Sequence, residues 1–192
     1  MIVIEKGVLN MSVEFSGKKA CIAPEGVFII GTYDENGVPN AMNAAWGTQS
    51  DYDEITLFLA RHKTTENVKH TKAFTVAFAT KDTMKIADYF GVETGNKVNK
   101  IEKAGCHVHK STHVNAPIIE EFPVTLECEC VSYDDETGIL VGKIIAQQAD
   151  ESVLTNGGGL RQAAADSVRH RHEDVSPGGP RCRQSIPRRP EV

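Results

Sequence analysis

The chain has 192 residues, of which 40 % are hydrophobic and 24 % charged, a composition typical of one globular domain with its own core. A formal net charge of −5 argues against general nucleic-acid binding. No apolar run reaches the roughly 20 residues of a membrane helix, and the first residues lack a secretory pattern. Five scattered cysteines, an odd number, favour a reducing cytoplasm over a disulfide framework.

Short apolar segments separated by turn residues predict a mainly β protein. A first strand is expected at 26–33, followed by a tight turn at Asn36-Gly37 and a return segment at 38–42. Further strands are predicted at 54–60, 74–79, 105–110, 124–133 and 139–147. The last two strands form a hairpin, and the alternation in 124–133 predicts a wetter face with Glu127 and Glu129.

Two short helices are predicted between these strands. One covers 64–71 with Thr64 as its N-cap, and the other covers 83–90 and stops at Gly91. No long helix recurs from strand to strand. The pattern therefore favours an antiparallel barrel over a parallel βαβ sheet.

A cationic, hydroxyl-rich cluster follows the strand predicted to end at residue 60. Arg61 can bind two oxygens of one anion and Lys63 adds a second positive charge. Thr64 and Thr65 supply hydroxyls and backbone N–H groups at the start of the predicted helix. These groups suit a phosphate monoester, and the alternative is that Arg61 and Lys63 are surface charges while Thr64 only caps the helix.

Small residues surround the only tryptophan of the chain. Their size would let backbone N–H and C=O groups approach the edge of a flat aromatic ring. The candidate contacts are Asn43, Ala44, Ala45, Trp46, Gly47 and Thr48. Asn43 and Thr48 are the better polar contacts, and Trp46 either packs against the ring or fills the core. A ligand with a planar ring at one end and a phosphate at the other is FMN.

Three ordered segments resemble the flavin-reductase-like FMN-binding family, and within it the flavoredoxin-type members. They are GVFIIGTYDENGVPNAMNAAWGTQ, ITLFLARHKTTENV and APIIEEFPVTLECE. The resemblance covers about residues 12–156 and implies a six-stranded antiparallel Greek-key split barrel with a few short helices. It also implies a homodimer, with FMN in a cleft near the subunit interface and its phosphate in the loop at 61–65. A lysine in the region of Lys97 and Lys100 would reach the flavin, unless this is a solvated loop.

The composition changes after residue 156. Residues 1–156 contain many lysines and one arginine, whereas residues 157–192 contain arginines and no lysine. We therefore expect an FMN-binding split-barrel domain at 1–156 and an atypical Arg- and Pro-rich tail at 157–192, partly helical or disordered. Residues 166–170 resemble the family's C-terminal helix while their surroundings do not, which raises the hypothesis of a shifted reading frame. The alternative is a lineage-specific disordered tail.

Other chemistry-bearing patterns are weaker. Cys106, His107, His109 and His113 lack the spacing of a zinc motif, so no metal site is predicted. Cys128 and Cys130 read as strand packing, with a redox pair as the alternative. Neither a dinucleotide-binding glycine loop nor a serine-hydrolase elbow is present.

Two main functions remain open from the sequence, with an FMN-binding storage or sensor protein as a weaker third. The first is an FMN-dependent oxidoreductase that takes hydride from NADH or NADPH and passes electrons to a flavin, a metal complex or oxygen. The second is a flavoredoxin-like electron carrier that works with protein partners, for which the acidic body would suit a basic partner. In both, no catalytic acid or base is assigned, and neither nucleic acid nor a membrane is an expected partner.

Overall fold

The computed structural model describes residues 26–156, which form a curved antiparallel sheet with short helices packed against it. The strands are β1 (Phe28–Tyr33), β2 (Pro39–Ala44), β3 (Gly47–Asp51), β4 (Glu54–Phe58), β5 (Ala73–Phe78), β6 (Val108–Lys110), β7 (Pro117–Ile119), β8 (Val124–Tyr133) and β9 (Ile139–Ala149). The helices are α1 (Lys63–Thr71), α2 (Met84–Val92) and α3 (Lys100–Lys103), followed by a 3-10 turn at Glu151–Val153. The tail expected at 157–192 lies outside the described residues.

The main sheet has the order β2-β1-β5-β8-β9-β4-β3. Its two edge strands, β2 and β3, are joined by only Ala45 and Trp46. Because two residues span at most about 7 Å, the edges must approach each other and the sheet must curl. This confirms the expected mainly β split barrel, with seven strands in the main sheet instead of six. A separate small sheet pairs β6 with β7.

The predicted strands agree with β1, β4, β5, β8 and β9 to within two residues at each end, whereas only 108–110 of the strand expected at 105–110 is extended. The tight turn after β1 is also confirmed. The Asp34 carboxylate accepts hydrogen bonds from the backbone N–H groups of Asn36 (3.0 Å) and Val38 (2.9 Å). Gly37 has a φ of 75°, a conformation that glycine adopts without strain.

Two apolar clusters lie on opposite faces of β1. Ile30 packs with Phe74, Leu57 and others inside the barrel, while Ile29 packs with Phe90 of α2 and its neighbours. Because β1 is covered on both faces, its sequence reads as a continuous apolar run. No helix in residues 26–156 is long and apolar enough to cross a membrane.

Both predicted helices differ from expectation at their ends. The N-cap of α1 is His62, so the prediction that Thr64 caps this helix is wrong. The hydroxyl of Thr65 closes the first turn, because it accepts from the His62 N–H (2.9 Å) and donates to the His62 carbonyl (2.8 Å). Helix α2 continues through Gly91 to Val92.

The wet face predicted for β8 is wrong for Glu127, which is 3 % exposed. Side chains still alternate along β8, because Leu126, Cys128 and Cys130 pack in the barrel core, whereas Glu127 lies on the opposite face. The Ser111 hydroxyl donates a hydrogen bond to the Glu127 carboxylate, and it accepts from the N–H groups of His113 and Val114. Glu127 is therefore buried beneath the segment that joins β6 to β7, while Glu129 is exposed as expected.

Candidate functional site

A cleft of about 620 Å³ lies between β2, the start of α1 and the segment that follows α2. This volume is within the range of roughly 300–1,000 Å³ that small-molecule sites occupy. Its lining residues are Asn40, Met42, Asn43, Arg61, His62, Lys63, Thr64, Glu66, Phe90, Gly91, Val92, Glu93, Thr94, Gly95, Asn96 and Lys100. The cleft thus contains five predicted site residues: Asn43, Arg61, Lys63, Thr64 and Lys100.

Two glycines, one in the last turn of α2 and one just after it, let this wall of the cleft approach β2 closely. A Cβ atom at Gly91 would lie 2.3 Å from Asn43 Nδ2, and one at Gly95 would lie 2.1 Å from Asn40 Oδ1. Asn43 Nδ2 also donates to the carbonyl of Ala87 in α2 at 3.0 Å. Any larger residue at either glycine would push this wall of the cleft away from the asparagines.

The ammonium of Lys63 is held by the turn between β1 and β2. Its Nζ lies 3.2 Å from Asp34 Oδ2, and the other oxygen of that carboxylate fixes the turn. Burial raises the pKa of Asp34, but hydrogen bonds from the Val38 N–H, Lys63 and the Asn36 N–H outweigh this and leave it lowered. The carboxylate therefore stays ionised and keeps Lys63 in place.

Lys100 is the most unusual charge of the cleft, because it is only 4 % exposed. Its Nζ donates to the Phe90 carbonyl at 2.9 Å, and no carboxylate in residues 26–156 forms an ion pair with it. Burial lowers the pKa of Lys100 to about 8, with Glu93 opposing the shift and Lys63 adding to it. Since an ammonium carries three donors, one neutral acceptor leaves this cation poorly compensated.

The two threonines of the predicted phosphate cluster have different roles. Thr64 lines the cleft, is 1 % exposed and accepts a hydrogen bond of 2.8 Å from Asn40 Nδ2. Thr65 is fully buried and its hydroxyl serves the helix cap. Arg61 is a largely exposed neighbour whose Nε lies 3.5 Å from Asp135 Oδ1 in the β8–β9 turn.

Most of the residues predicted to surround the ring lie outside this cleft. Ala44 ends β2 in the core, and Gly47 and Thr48 begin β3 on the other side of the bend. Trp46 is 66 % exposed, so the interpretation as a core tryptophan is wrong. Lys97 is also exposed and does not line the cleft, although Lys100 nearby does.

Sequence reasoning missed Asn40, Gly91 and Gly95. The available signal was Asn40 itself, because asparagine is disfavoured in strands and β2 carries two within four residues. The glycines gave no usable signal, since their role is an approach between segments far apart in the sequence.

The histidines set aside as metal ligands pair with carboxylates instead. His107 Nδ1 lies 2.9 Å from Glu121 Oε1, and His109 Nδ1 lies 3.0 Å from Glu120 Oε1. Within residues 26–156 no group of three or more potential ligands is arranged to hold a metal ion.

The fold is that of a split-barrel protein, and its cleft is cationic and partly apolar. The sequence matches the flavin reductase like domain over residues 21–164, well over half of the chain. The chain therefore belongs to the flavin-reductase-like family, as its motifs indicated.

Solved structures agree with this membership. The flavoredoxin of Desulfovibrio vulgaris (Miyazaki F) is 27 % identical with a TM-score of 0.75, covering 80 % of this chain and 85 % of that chain. The flavoredoxin from Methanosarcina acetivorans is 25 % identical with a TM-score of 0.72, covering 82 % of this chain and 85 % of that chain.

A sequence relative is also similar. An uncharacterized protein of Aquifex aeolicus (strain VF5) is 29 % identical over 107 residues, or 55 % of this chain, and the match spans about half of that protein (53 %).

Replacing Lys100 with methionine tests the buried charge. Because the pKa of Lys100 is lowered from 10.5 to about 8, the folded protein releases this proton at a lower pH than the unfolded chain. We expect the free energy of unfolding of the wild type, relative to Lys100→Met, to rise as the pH increases from about 8 to 10.5. Denaturant unfolding of the ligand-free proteins measures this difference. Lys110→Met changes an exposed lysine, is the matched control and should show no such rise. A difference in unfolding free energy between the wild type and Lys100→Met that stays constant with pH would contradict a buried ammonium.

Proposed function

We propose that this chain binds FMN in the cleft, with the phosphate close to Lys63, Thr64 and Lys100. The observation that carries the proposal is the buried ammonium of Lys100, which has one carbonyl partner and lies in the same cleft as Lys63. Two nearby cations in a partly closed cleft favour a ligand group with about two negative charges. A phosphate monoester has that charge, and two flavoredoxins share the fold.

The remaining groups of the cleft fit the same ligand. The N–H groups of Lys63 and Thr64 open α1 and have no partner inside the helix, so they can donate to phosphate oxygens. Met42 and Phe90 supply apolar lining, and Asn43 supplies a polar edge, as a flavin ring requires. Bound FMN would supply hydride acceptance and electron transfer, while the protein residues bind and orient it.

The activity that we propose is electron transfer from NADH or NADPH through bound flavin to a flavin, a metal complex or another acceptor. Family membership supports this oxidoreductase reading. The alternative is a flavoredoxin-like carrier that exchanges electrons with a redox protein, and the similarity to two flavoredoxins favours it. The reduced cysteines Cys106, Cys128 and Cys130 support a cytoplasmic location in either case.

We also propose a homodimer. Trp46 and Phe58 are adjacent, since the Phe58 N–H donates to the Trp46 carbonyl at 2.9 Å, and both side chains are substantially exposed. Val131 of β8 and Ile145 of β9 are further large exposed apolar residues. A second copy that covers Trp46 would bury this apolar surface and could bring the residues of the bend, Ala45 to Thr48, to a flavin ring.

The phosphate site is tested by Arg61→Ala and Lys63→Ala, alone and combined. Each lost charge-assisted contact is worth roughly 1.5–3 kcal/mol, and we expect the Lys63 change to weaken FMN binding more because Arg61 is 70 % exposed. Isothermal titration with FMN measures the affinities. Lys103→Ala combined with Lys143→Ala is the control, since both lysines are exposed and lie outside the cleft. A double variant that retains a full complement of flavin would refute the phosphate assignment.

Anaerobic mixing with NADH or NADPH separates the two activities. Rapid loss of flavin absorbance near 450 nm, a typical band of oxidised flavin, is expected for a reductase because the nicotinamide must reach the bound ring. The control is the same mixture with the cleft variant Arg61→Ala/Lys63→Ala. Slow bleaching by both nucleotides, with rapid reduction only by a reduced redox protein, would favour the carrier.

The homodimer is tested by Trp46→Glu. Sedimentation equilibrium should give about twice the chain mass of 20.9 kDa for the wild type and the chain mass for the variant, since a buried charge opposes association. Met84→Glu changes a comparably exposed apolar residue on α2 and should remain dimeric. A monomeric wild type at micromolar concentration would exclude the dimer.

A further inference from the structure

We propose that Asn40 is a positioning residue that directs the Thr64 hydroxyl as a hydrogen-bond donor toward the phosphate and so makes the site prefer phosphorylated over unphosphorylated flavin. This inference rests on the proposed FMN site. It assigns a role to a residue that has no charge and that the sequence did not single out.

The polarity of one hydrogen bond carries the argument. Asn40 Nδ2 lies 2.8 Å from Thr64 Oγ1, and the two residues are 4 % and 1 % exposed. An amide NH₂ group can only donate, so the hydroxyl oxygen accepts this bond. The hydroxyl proton of Thr64 is then left for another partner, and residues 26–156 provide no acceptor for it.

The position of Asn40 is constrained on its other side. Its Oδ1 faces Gly95, where even a Cβ atom would lie only 2.1 Å away. The amide is thus held between the segment after α2 and the first turn of α1. A buried donor without an acceptor is unfavourable, so the unpaired hydroxyl donor of Thr64 is best satisfied by a ligand in the cleft.

The chemistry of the two flavins differs where this donor acts. A phosphate ester dianion offers only acceptor oxygens and carries charge, whereas the terminal hydroxyl of riboflavin is neutral and also donates. A hydrogen bond to a charged acceptor is roughly twice as strong as one between neutral groups. A fixed donor beside Lys63 and Lys100 therefore gains more from FMN than from riboflavin.

The chain contains a matched control for this pair. Asn67 Nδ2 donates to Thr32 Oγ1 at 2.9 Å, and the two residues are 6 % and 0 % exposed. The pair has the same chemistry and similar burial, but neither residue lines the cleft. Asn67→Ala therefore reports what the loss of such a pair does to the fold alone.

The experiment measures the dissociation constants of FMN and riboflavin for the wild type and five variants. The variants are Asn40→Ala, Asn40→Asp, Thr64→Val, Asn40→Ala/Thr64→Val and Asn67→Ala. We expect Asn40→Ala and Thr64→Val each to lower the preference for FMN over riboflavin by about tenfold, and the double variant to lower it no further than Thr64→Val. Asn40→Asp should lower the preference for FMN more, because a carboxylate accepts the hydrogen bond of the Thr64 hydroxyl and repels the phosphate. Asn67→Ala should leave the preference unchanged.

The outcomes separate this inference from the function on which it rests. If the wild type binds neither FMN nor riboflavin, both the proposed function and this inference are refuted. A wild type that prefers FMN, with a preference unchanged in Thr64→Val or lowered equally by Asn67→Ala, overturns only the role of Asn40. If Asn40→Ala does not fold, Thr64→Val and Asn40→Asp still decide, since a preference that neither of them lowers contradicts a directed hydroxyl.

Discussion

The two-residue connection between β2 and β3 is the constraint on which the molecule depends. It joins strands that stand at opposite edges of a seven-stranded sheet, so the sheet has to curl into a barrel. In that curled sheet β2 forms strand hydrogen bonds only with β1, and α2 and α3 pack against β2. The cleft forms where these helices, β2 and the start of α1 come together. The cleft is thus a product of how the barrel closes.

The arrangement of charges in the cleft lowers the stability of the protein without a ligand. Asp34 forms an ion pair with Lys63 and holds it in place, whereas Lys100 is buried and has only a carbonyl partner among residues 26–156. A buried cation without a counter-ion destabilises a fold, and an anionic ligand that supplies the missing charge removes that penalty. In the proposed complex, the same residues that weaken the empty protein would strengthen binding, a common trade between stability and function.

The sequence predicted those features that depend on local pattern. Alternating and β-branched residues located β1, β4, β5, β8 and β9, and Asn36-Gly37 located the turn. The spacing of Lys63 and Thr64 after a strand located one side of the cleft. The opposite side was not predictable, because Gly91 and Gly95 meet β2 only in the folded chain. Likewise, the segment between β6 and β7 covers Glu127 and an exposed bend carries Trp46, neither of which leaves a periodic signal.

The start of α1 at Lys63 has a consequence for how this scaffold can change. With His62 as the cap, Thr65 secures the first turn and its neighbour Thr64 is released from that task. Because the cap joins His62 to a hydroxyl only three residues on, a deletion or insertion before His62 would move both residues together and leave Thr65 in its role. A change in the length of the loop before this helix would therefore shift Thr64 relative to Asn40 of β2 without undoing the helix cap.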